Sequence, residues 1–249
     1  MKTTHVLFLS IGLLLLSCQS KQDKKEITAQ DMVIVEKTPA NTDWKVLFDG
    51  TSFEHWRGYN DTEMPSEWSI DGDAMVFTPS GENGNNIVSE ETYTNFVLSL
   101  EWKIAEGGNS GIFWGVHEAE NLSEPYLTGP EIQVLDDAKH PDSFVGEGTH
   151  KAGSLYDMIA PSDLTVVNPA GEWNACEITI DHNKNQGMVT LNGTKIVSFP
   201  VHGANWDAMV ANSKFADWEH FGMHQTGHIG LQDHGDKVWF RNIKIKPIN

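Results

Sequence analysis

The chain has 249 residues and sets 35 Asp and Glu against 17 Lys and Arg, for a formal charge of −18 at pH 7. So acidic a balance argues against nucleic acid and anionic membrane surfaces as partners, and suits neutral ligands such as sugars, or bound cations. The two cysteines, Cys18 and Cys176, supply no disulfide framework.

Lys2 gives a short positive start, and Val6 to Leu16 is an apolar run that ends in Leu13-Leu14-Leu15-Leu16. The run is too short to span a bilayer, so residues 1–17 read as a cleaved signal peptide. Leu15-Leu16-Ser17-Cys18 fits a bacterial lipobox, in which a small residue precedes the cysteine that is lipidated. The expected location is the cell envelope, with Cys18 anchored in the outer membrane and the chain on its periplasmic or surface face. Residues 18–43 are polar and charged, too poor in apolar groups to bury a core, and read as a flexible tether. Residues 44–249 have the length of one sandwich domain with a core of its own.

Within that domain the hydrophobic period is 2. Phe96, Leu98, Leu100, Trp102 and Ile104 alternate with polar residues, as do Cys176, Ile178 and Ile180. Val238, Phe240, Ile243 and Ile245 do the same with a slip near Asn242 that predicts a bulge. Asn192-Gly193 between two apolar runs predicts a tight hairpin. A short segment from about Trp206 to Phe215 is the one plausible helix. The pattern predicts an all-β fold, a two-sheet antiparallel sandwich or jelly roll. Cys176 reads as a small buried hydrophobe. Most of the nine tryptophans belong to the core, but some should stack on a sugar face. Trp114, between polar segments, is the first choice for stacking, with core packing as the alternative.

Three stretches place polar groups where folding alone does not require them. In Gly107-Gly108-Asn109-Ser110-Gly111-Ile112-Phe113-Trp114 a turn runs into a strand, and Asn109 and Ser110 either close the turn or bind a ligand. In Gly129-Pro130-Glu131-Ile132-Gln133-Val134-Leu135-Asp136-Asp137, Ile132 and Val134 point inward, so Glu131 and Gln133 share the outer face. A carboxylate beside an amide can grip adjacent hydroxyls, or move a proton; the alternative is a solvated strand face. Asp136, Asp137 and His140 could hold a divalent cation through oxygen and nitrogen, although their spacing matches no calcium loop. In Gly227-His228-Ile229-Gly230-Leu231-Gln232-Asp233-His234-Gly235, Gly230, Gln232 and His234 face outward. Gly230 lets a group approach the backbone. His234 is the titratable group best suited to proton transfer near neutral pH, or else a surface histidine. The spacing of His220, His224 and His228 would suit a metal face on a helix, but Gly222 and Gly227 break it.

In order, these segments resemble the 3-keto-disaccharide hydrolase family. The resemblance is carried by Trp44-Lys45-Val46-Leu47-Phe48-Asp49-Gly50, Asn109 to Phe113, Glu131 to Asp137, Gly153-Ser154-Leu155-Tyr156-Asp157, Gly171-Glu172-Trp173-Asn174 and Gly227 to Gly235. One departure is Trp114-Gly115-Val116, where members often carry an arginine. The resemblance implies a concanavalin-like jelly roll acting on glycosides already oxidised to a ketone at C3. It implies cleavage by base-assisted elimination or net hydrolysis, with the oxidation belonging to a partner sugar oxidoreductase. Under it, His234 or Glu131 is the base, and Tyr156 gives a proton to the leaving oxygen. Asn109, Gln133 and Gln232 hold hydroxyls or the ketone, beside the candidates Ser110 and Trp114. No cofactor is required, a divalent cation aside. The competing classes are a conventional glycoside hydrolase, which needs a second carboxyl partner for Glu131, and a non-catalytic carbohydrate-binding lipoprotein.

Overall fold

The computed structural model describes residues 43–81 and 84–248. The expected signal, Cys18 and the tether up to residue 42 lie outside the described residues. Thirteen strands follow one another: β1 (Lys45–Phe48), β2 (Trp56–Gly58), β3 (Trp68–Asp71), β4 (Ala74–Phe77), β5 (Ile87–Tyr93), β6 (Phe96–Ile104), β7 (Asn109–Val116), β8 (Glu131–Leu135), β9 (Asn174–Asp181), β10 (Gln186–Leu191), β11 (Thr194–Phe199), β12 (Gly227–Leu231) and β13 (Val238–Pro247). The larger antiparallel sheet runs β11-β10-β9-β6-β13-β4-β3, with β1 joined to β13; the smaller runs β2-β5-β12-β7-β8. The two form the antiparallel jelly-roll sandwich that the period-2 patterning predicts.

Burial alternates along all nine residues of β6, which sends Phe96, Leu98, Leu100, Trp102 and Ile104 inward. There they join Ile112, Ile132, Ile229 and Leu231 of the smaller sheet in one core. Each such side chain contributes about 1.5–3 kcal/mol through removal from water. On β13 the inward set is Val238, Phe240, Ile243 and Ile245. The expected slip is real: Asn242 has a φ of +53°, and pairing with β6 shifts between Arg241 and Lys244. Asn192 and Gly193 turn β10 into β11 with φ of +48° and +82°, the two left-handed values a type I′ hairpin needs. Cys176 is buried on β9, and burial pushes its thiol up to about 12. It is an inert core residue.

The helix differs from the expected span. The helix α1 covers Gly203–Ala211 and stops before Lys214 and Phe215. Asn212 folds its amide back onto the Ala208 carbonyl, and the Asp157 carboxylate accepts from the Lys214 N–H at 2.6 Å. A side chain elsewhere in the fold has taken the backbone group that a longer helix would need.

β7 lies between β12 and β8, so the three polar stretches of the sequence share one surface. β8 is the last strand of its sheet, and residues 153–156 cover its edge. Gly153 N–H donates to the Gln133 carbonyl, Gln133 N–H to Ser154 and Tyr156 N–H to Glu131. The edge is thereby protected from stray pairing, and Tyr156 is brought beside Glu131.

Candidate active site

The outer face of the smaller sheet carries the site. Phe113 is paired with Glu131 and Gly111 with Gln133 across β7 and β8, and Gly230 faces Phe113 from β12. The group that approaches Gly230 is the Phe113 ring, which a Cβ there would crowd at 3.1 Å. Gly111 has a sharper duty. A Cβ at that position would collide with the Glu131 carboxylate, so the carboxylate lies across the bare backbone of Gly111.

A cavity of about 500 Å³ opens above this surface, with Asn109, Glu131, Gln133, Gln232 and His234 on its floor and rim. Glu131, Gln133, Asn109 and Gln232 are all buried. Burial pushes the Glu131 carboxyl up to about 8, Asp142 adds to the rise, and the Lys214 ammonium opposes it. Gln133 turns its Oε1 to the Val134 N–H, which leaves its NH2 to donate. Asn109 Oδ1 and Gln232 Oε1 are buried and accept no hydrogen bond. Two idle acceptors lining one cavity call for a ligand rich in donors, such as sugar hydroxyls.

His234 Nε2 lies 3.4 Å from Asn109 Nδ2. With the amide donating, that nitrogen carries a lone pair. Solvent reaches the ring at the rim, yet the surrounding protein desolvates it enough to hold it below the usual imidazole value, against the pull of Asp236. The imidazole is therefore neutral at pH 7.

Three sequence-predicted residues lie away from the cavity lining or are otherwise engaged. Ser110 is buried and donates to the Gln232 carbonyl at 2.9 Å, fastening β7 to β12. Trp114 sits in the core with its ring 5.5 Å from that of Phe199. Both share parity with Ile112, which points inward. Tyr156 does line the cavity, but its hydroxyl donates to Asp142 Oδ2 at 2.9 Å, and burial drives its proton affinity far above that of a free phenol.

The expected cation set is also rearranged. Asp136 accepts from the Gly107 and Ala138 N–H groups, and Asp137 from the Ala152 N–H, so both carboxylates are occupied in shaping turns. His140 instead joins His234 and Asp236, with one ligand atom from each, all within 4.8 Å of one another. Two imidazoles and a carboxylate suit a divalent transition ion. His140 already accepts from Asp142 N–H through Nδ1, so its Nε2 is the free ligand atom. An ion there would supply Lewis acidity beside the cavity.

Several cavity residues escaped sequence reasoning. Tyr126, Phe215 and Trp218 form an aromatic wall, with Trp218 5.0 Å from Phe215 and 6.0 Å from Tyr126. This wall takes the place expected for Trp114. Lys214 is the cation of the lining, its Nζ 4.1 Å from the centre of the Tyr156 ring. Opposite in charge, Glu124 and Asp233 also face the cavity; burial and then Asp233 raise the Glu124 carboxyl. The loop bearing Glu124 is tied down where Arg57 pairs with Glu118 through two nitrogens, at 2.8 and 2.6 Å. Apart from Tyr126, which sits on the short 3-10 turn Pro125–Leu127, these residues lie on irregular loops without hydrophobic period.

The site is thus a polar, aromatic-walled cavity on one sheet face of a jelly-roll sandwich. The chain belongs to the family of the 3-keto-alpha-glucoside-1,2-lyase-like domain, whose model matches residues 43–246. It is 34% identical to a 3-keto-disaccharide hydrolase of Bacteroides thetaiotaomicron, over 90% of this chain and 85% of that one. A crystal structure of a putative glycosyl hydrolase from Parabacteroides distasonis is 31% identical, with a TM-score of 0.75 over 83% of this chain and 94% of its own. The β-agarase A of Zobellia galactanivorans shares the fold alone, at 11% identity and a TM-score of 0.51 over 91% and 98% of the two chains. Family and relatives together support a carbohydrate-cleaving hydrolase.

The placement of Glu131 generates a direct check. Gly111→Ala should push the carboxyl off the sheet, at about 1–3 kcal/mol in stability. A carbon-13 NMR titration of Glu131 should then fall from about 8 toward the ordinary 4.5. An unmoved midpoint would show that the carboxyl does not depend on Gly111.

Proposed function

We propose that the protein cleaves the glycosidic bond of 3-keto glycosides or disaccharides by elimination followed by addition of water. The observation that carries this reading is the pairing, in one cavity, of a carboxyl held protonated near neutrality with an imidazole held neutral. Two groups whose proton affinities are pushed apart in this way make an acid and a base.

The C3 ketone acidifies the proton at C2. His234 takes that proton through its lone pair, and the electrons move into the C2–C3 bond and onto the ketone oxygen. The Gln133 NH2 and the Lys214 ammonium are the donors available to steady that oxyanion. Glu131 protonates the departing C1 oxygen, and the C1–O bond breaks to give an alcohol and an enone. Water then adds back. Glu131, now a carboxylate, takes a proton from the water as its oxygen joins C1, and His234 returns its proton to C2. The net change is hydrolysis, and both groups end as they began. Tyr156 has no part as the acid, because its proton is committed to Asp142. The 3-keto substrate has to be supplied by a separate sugar oxidoreductase.

The conventional glycosidase reading gains one observation. Glu124 and Asp233 line the same cavity as Glu131, and either would be the second carboxyl that mechanism needs. Substrate choice separates the readings. A 3-keto disaccharide should be cleaved and its unoxidised parent left intact; equal cleavage of both would refute elimination. His234→Ala and Glu131→Gln should each lower turnover by about 10²–10⁴-fold, while Gln133→Ala should mainly weaken binding. Turnover against pH should rise below the ordinary imidazole value of 6.5, as His234 loses its proton, and fall near 8, as Glu131 loses its own.

The elimination routes no step through an ion, so exhaustive chelation should leave turnover intact. Loss of turnover that a divalent ion restores would bring an ion at His140, His234 and Asp236 into the reaction.

The same proposal includes a lipid anchor at Cys18 in the outer membrane, which would hold the domain on a tether near its sugars. Cys18→Ser should move the protein from the membrane fraction to the soluble one; a mutant that stays with the membrane would rule out the lipobox.

A further inference from the structure

Behind the cavity wall stands His150, with one carboxylate on each ring nitrogen. Its Nδ1 lies 2.9 Å from Asp142 Oδ1, and its Nε2 lies 2.7 Å from Asp157 Oδ1. Each carboxylate then reaches onward with its second oxygen. Asp142 Oδ2 accepts from the Tyr156 hydroxyl at 2.9 Å, and Asp157 Oδ2 accepts from the Lys214 N–H at 2.6 Å. The His150 ring also packs 4.4 Å from the ring of Tyr156. The local backbone is bent to permit this. Asp157 has a φ of +59°, unusual for a residue with a side chain. Gly146 has a φ of +67°, and a Cβ there would come within 2.6 Å of His150 Cδ2.

We propose that His150 is a positioning residue that clamps two parts of the cavity wall, the Tyr156 hydroxyl through Asp142 and the Lys214–Trp218 segment through Asp157. Each ring nitrogen of His150 has a carboxylate oxygen within hydrogen-bond distance, so one ring bridges the two side chains. The clamp explains why an exposed loop lysine is held over Tyr156 and beside Glu131. Without it, Lys214 and the aromatic wall behind it would swing with a loop that has no secondary structure of its own. The Asp142 charge, pinned on the same ring, faces Glu131 from the other side of the balance. Asp142, Asp157 and Tyr156 are the titratable groups that face His150, and the clamp fixes all three.

The first measurement needs no substrate. Trypsin cutting after Lys214 in the native protein reads how often that segment opens. His150→Gln removes the bridge, and Asp157→Gly removes the carboxylate while keeping the backbone angle unstrained. Each should speed cutting after Lys214 at least about tenfold, which corresponds to about 1.4 kcal/mol in the opening equilibrium. Cutting after Lys184, in the β9–β10 turn, should stay as in the native chain. Wild-type rates after Lys214 in both variants, or equal acceleration at Lys184, would overturn the proposal. If His150→Gln does not fold, Asp157→Gly decides alone.

The second measurement rests on the proposed function. With a 3-keto disaccharide, Asp157→Gly, which frees the Lys214 segment and leaves Asp142 on His150, should move the upper limb of the pH profile upward from about 8, because the Lys214 charge that lowers Glu131 is no longer held there. A limb that stays in place, in a variant whose segment is demonstrably loosened, would overturn the link from the clamp to Glu131. Absence of turnover in the wild-type protein would refute the proposed function and leave the clamp to the protease result.

Discussion

A carboxyl group sealed onto a β-sheet is expensive, because burial disfavours its charged form and leaves its oxygens without water. Glu131 bears that cost on β8, and much of the site follows from it. The strand beside it must offer bare backbone, hence Gly111. The sheet edge beyond it must be closed, hence the pairing of residues 153–156 along β8. A cation must stand close enough to temper the penalty but not so close as to ionise the group outright, and Lys214 meets both needs. A tight ion pair would have pulled the carboxyl below its ordinary value, as Arg57 and the Asn60 N–H do for Glu118 despite that residue's own burial. The two glutamates differ in burial and in partners together: Glu131 is the more deeply buried and is raised chiefly by that burial, whereas Glu118 is less buried and accepts directly from Arg57 and Asn60.

The same balance explains the composition of the cavity. Its floor offers acceptors without partners at Asn109 and Gln232, and a free donor at Gln133. Its acidic end, at Glu124 and Asp233, is stabilised by side-chain and backbone amides: Asn86 donates to Glu124, and Asn85 and Gly235 donate to Asp233. The aromatic wall stands on two segments, one between β7 and β8 and one between α1 and β12. A pyranose has flat apolar faces and a rim of hydroxyls, so one wall to stack on and an acceptor-rich floor match it. The acidity of the whole chain does not conflict with this, since a neutral sugar is indifferent to net charge.

How far the sequence reaches can be followed residue by residue. Strict alternation on β6 and β13 placed the core, down to the slip at Asn242. Parity also placed Glu131, Gln133 and Gln232 on the outer face, because a strand leaves no choice once its inward residues are known. That rule, applied to β7, already sends Ser110 and Trp114 inward with Ile112; the polar flanks of the tryptophan point to a sugar, and packing against Phe199 overrides them. Two adjacent carboxylates at Asp136 and Asp137 suggest ligands from the sequence, but turn-forming N–H groups occupy both. Lys214, Trp218, Tyr126 and Glu124 were illegible for a different reason. They reach the cavity from loops, and a loop position depends on tertiary bonds such as Asp157 to Lys214 and Arg57 to Glu118, which leave no period in the chain.

Those tertiary bonds also separate the two halves of the chemistry. Glu131 opens β8, so the acid rides on the rigid sheet, and His234 stands three residues past the end of β12, where the loop to β13 leaves the sheet. Lys214 and the aromatic wall ride on loops that must be tied back. Proton transfer tolerates little misplacement, and a sheet holds geometry more tightly than a loop can. Recognition of a sugar face tolerates more, and it gains from a wall that can yield as a disaccharide enters. The division leaves the loops that carry the aromatic wall to shape what the cavity admits beside the reacting bond. Variation between relatives in the leaving group they accept should then fall on residues 122–126 and 212–218, while the strand positions of Gly111 and Glu131 are bound to one another by contact and can change only together.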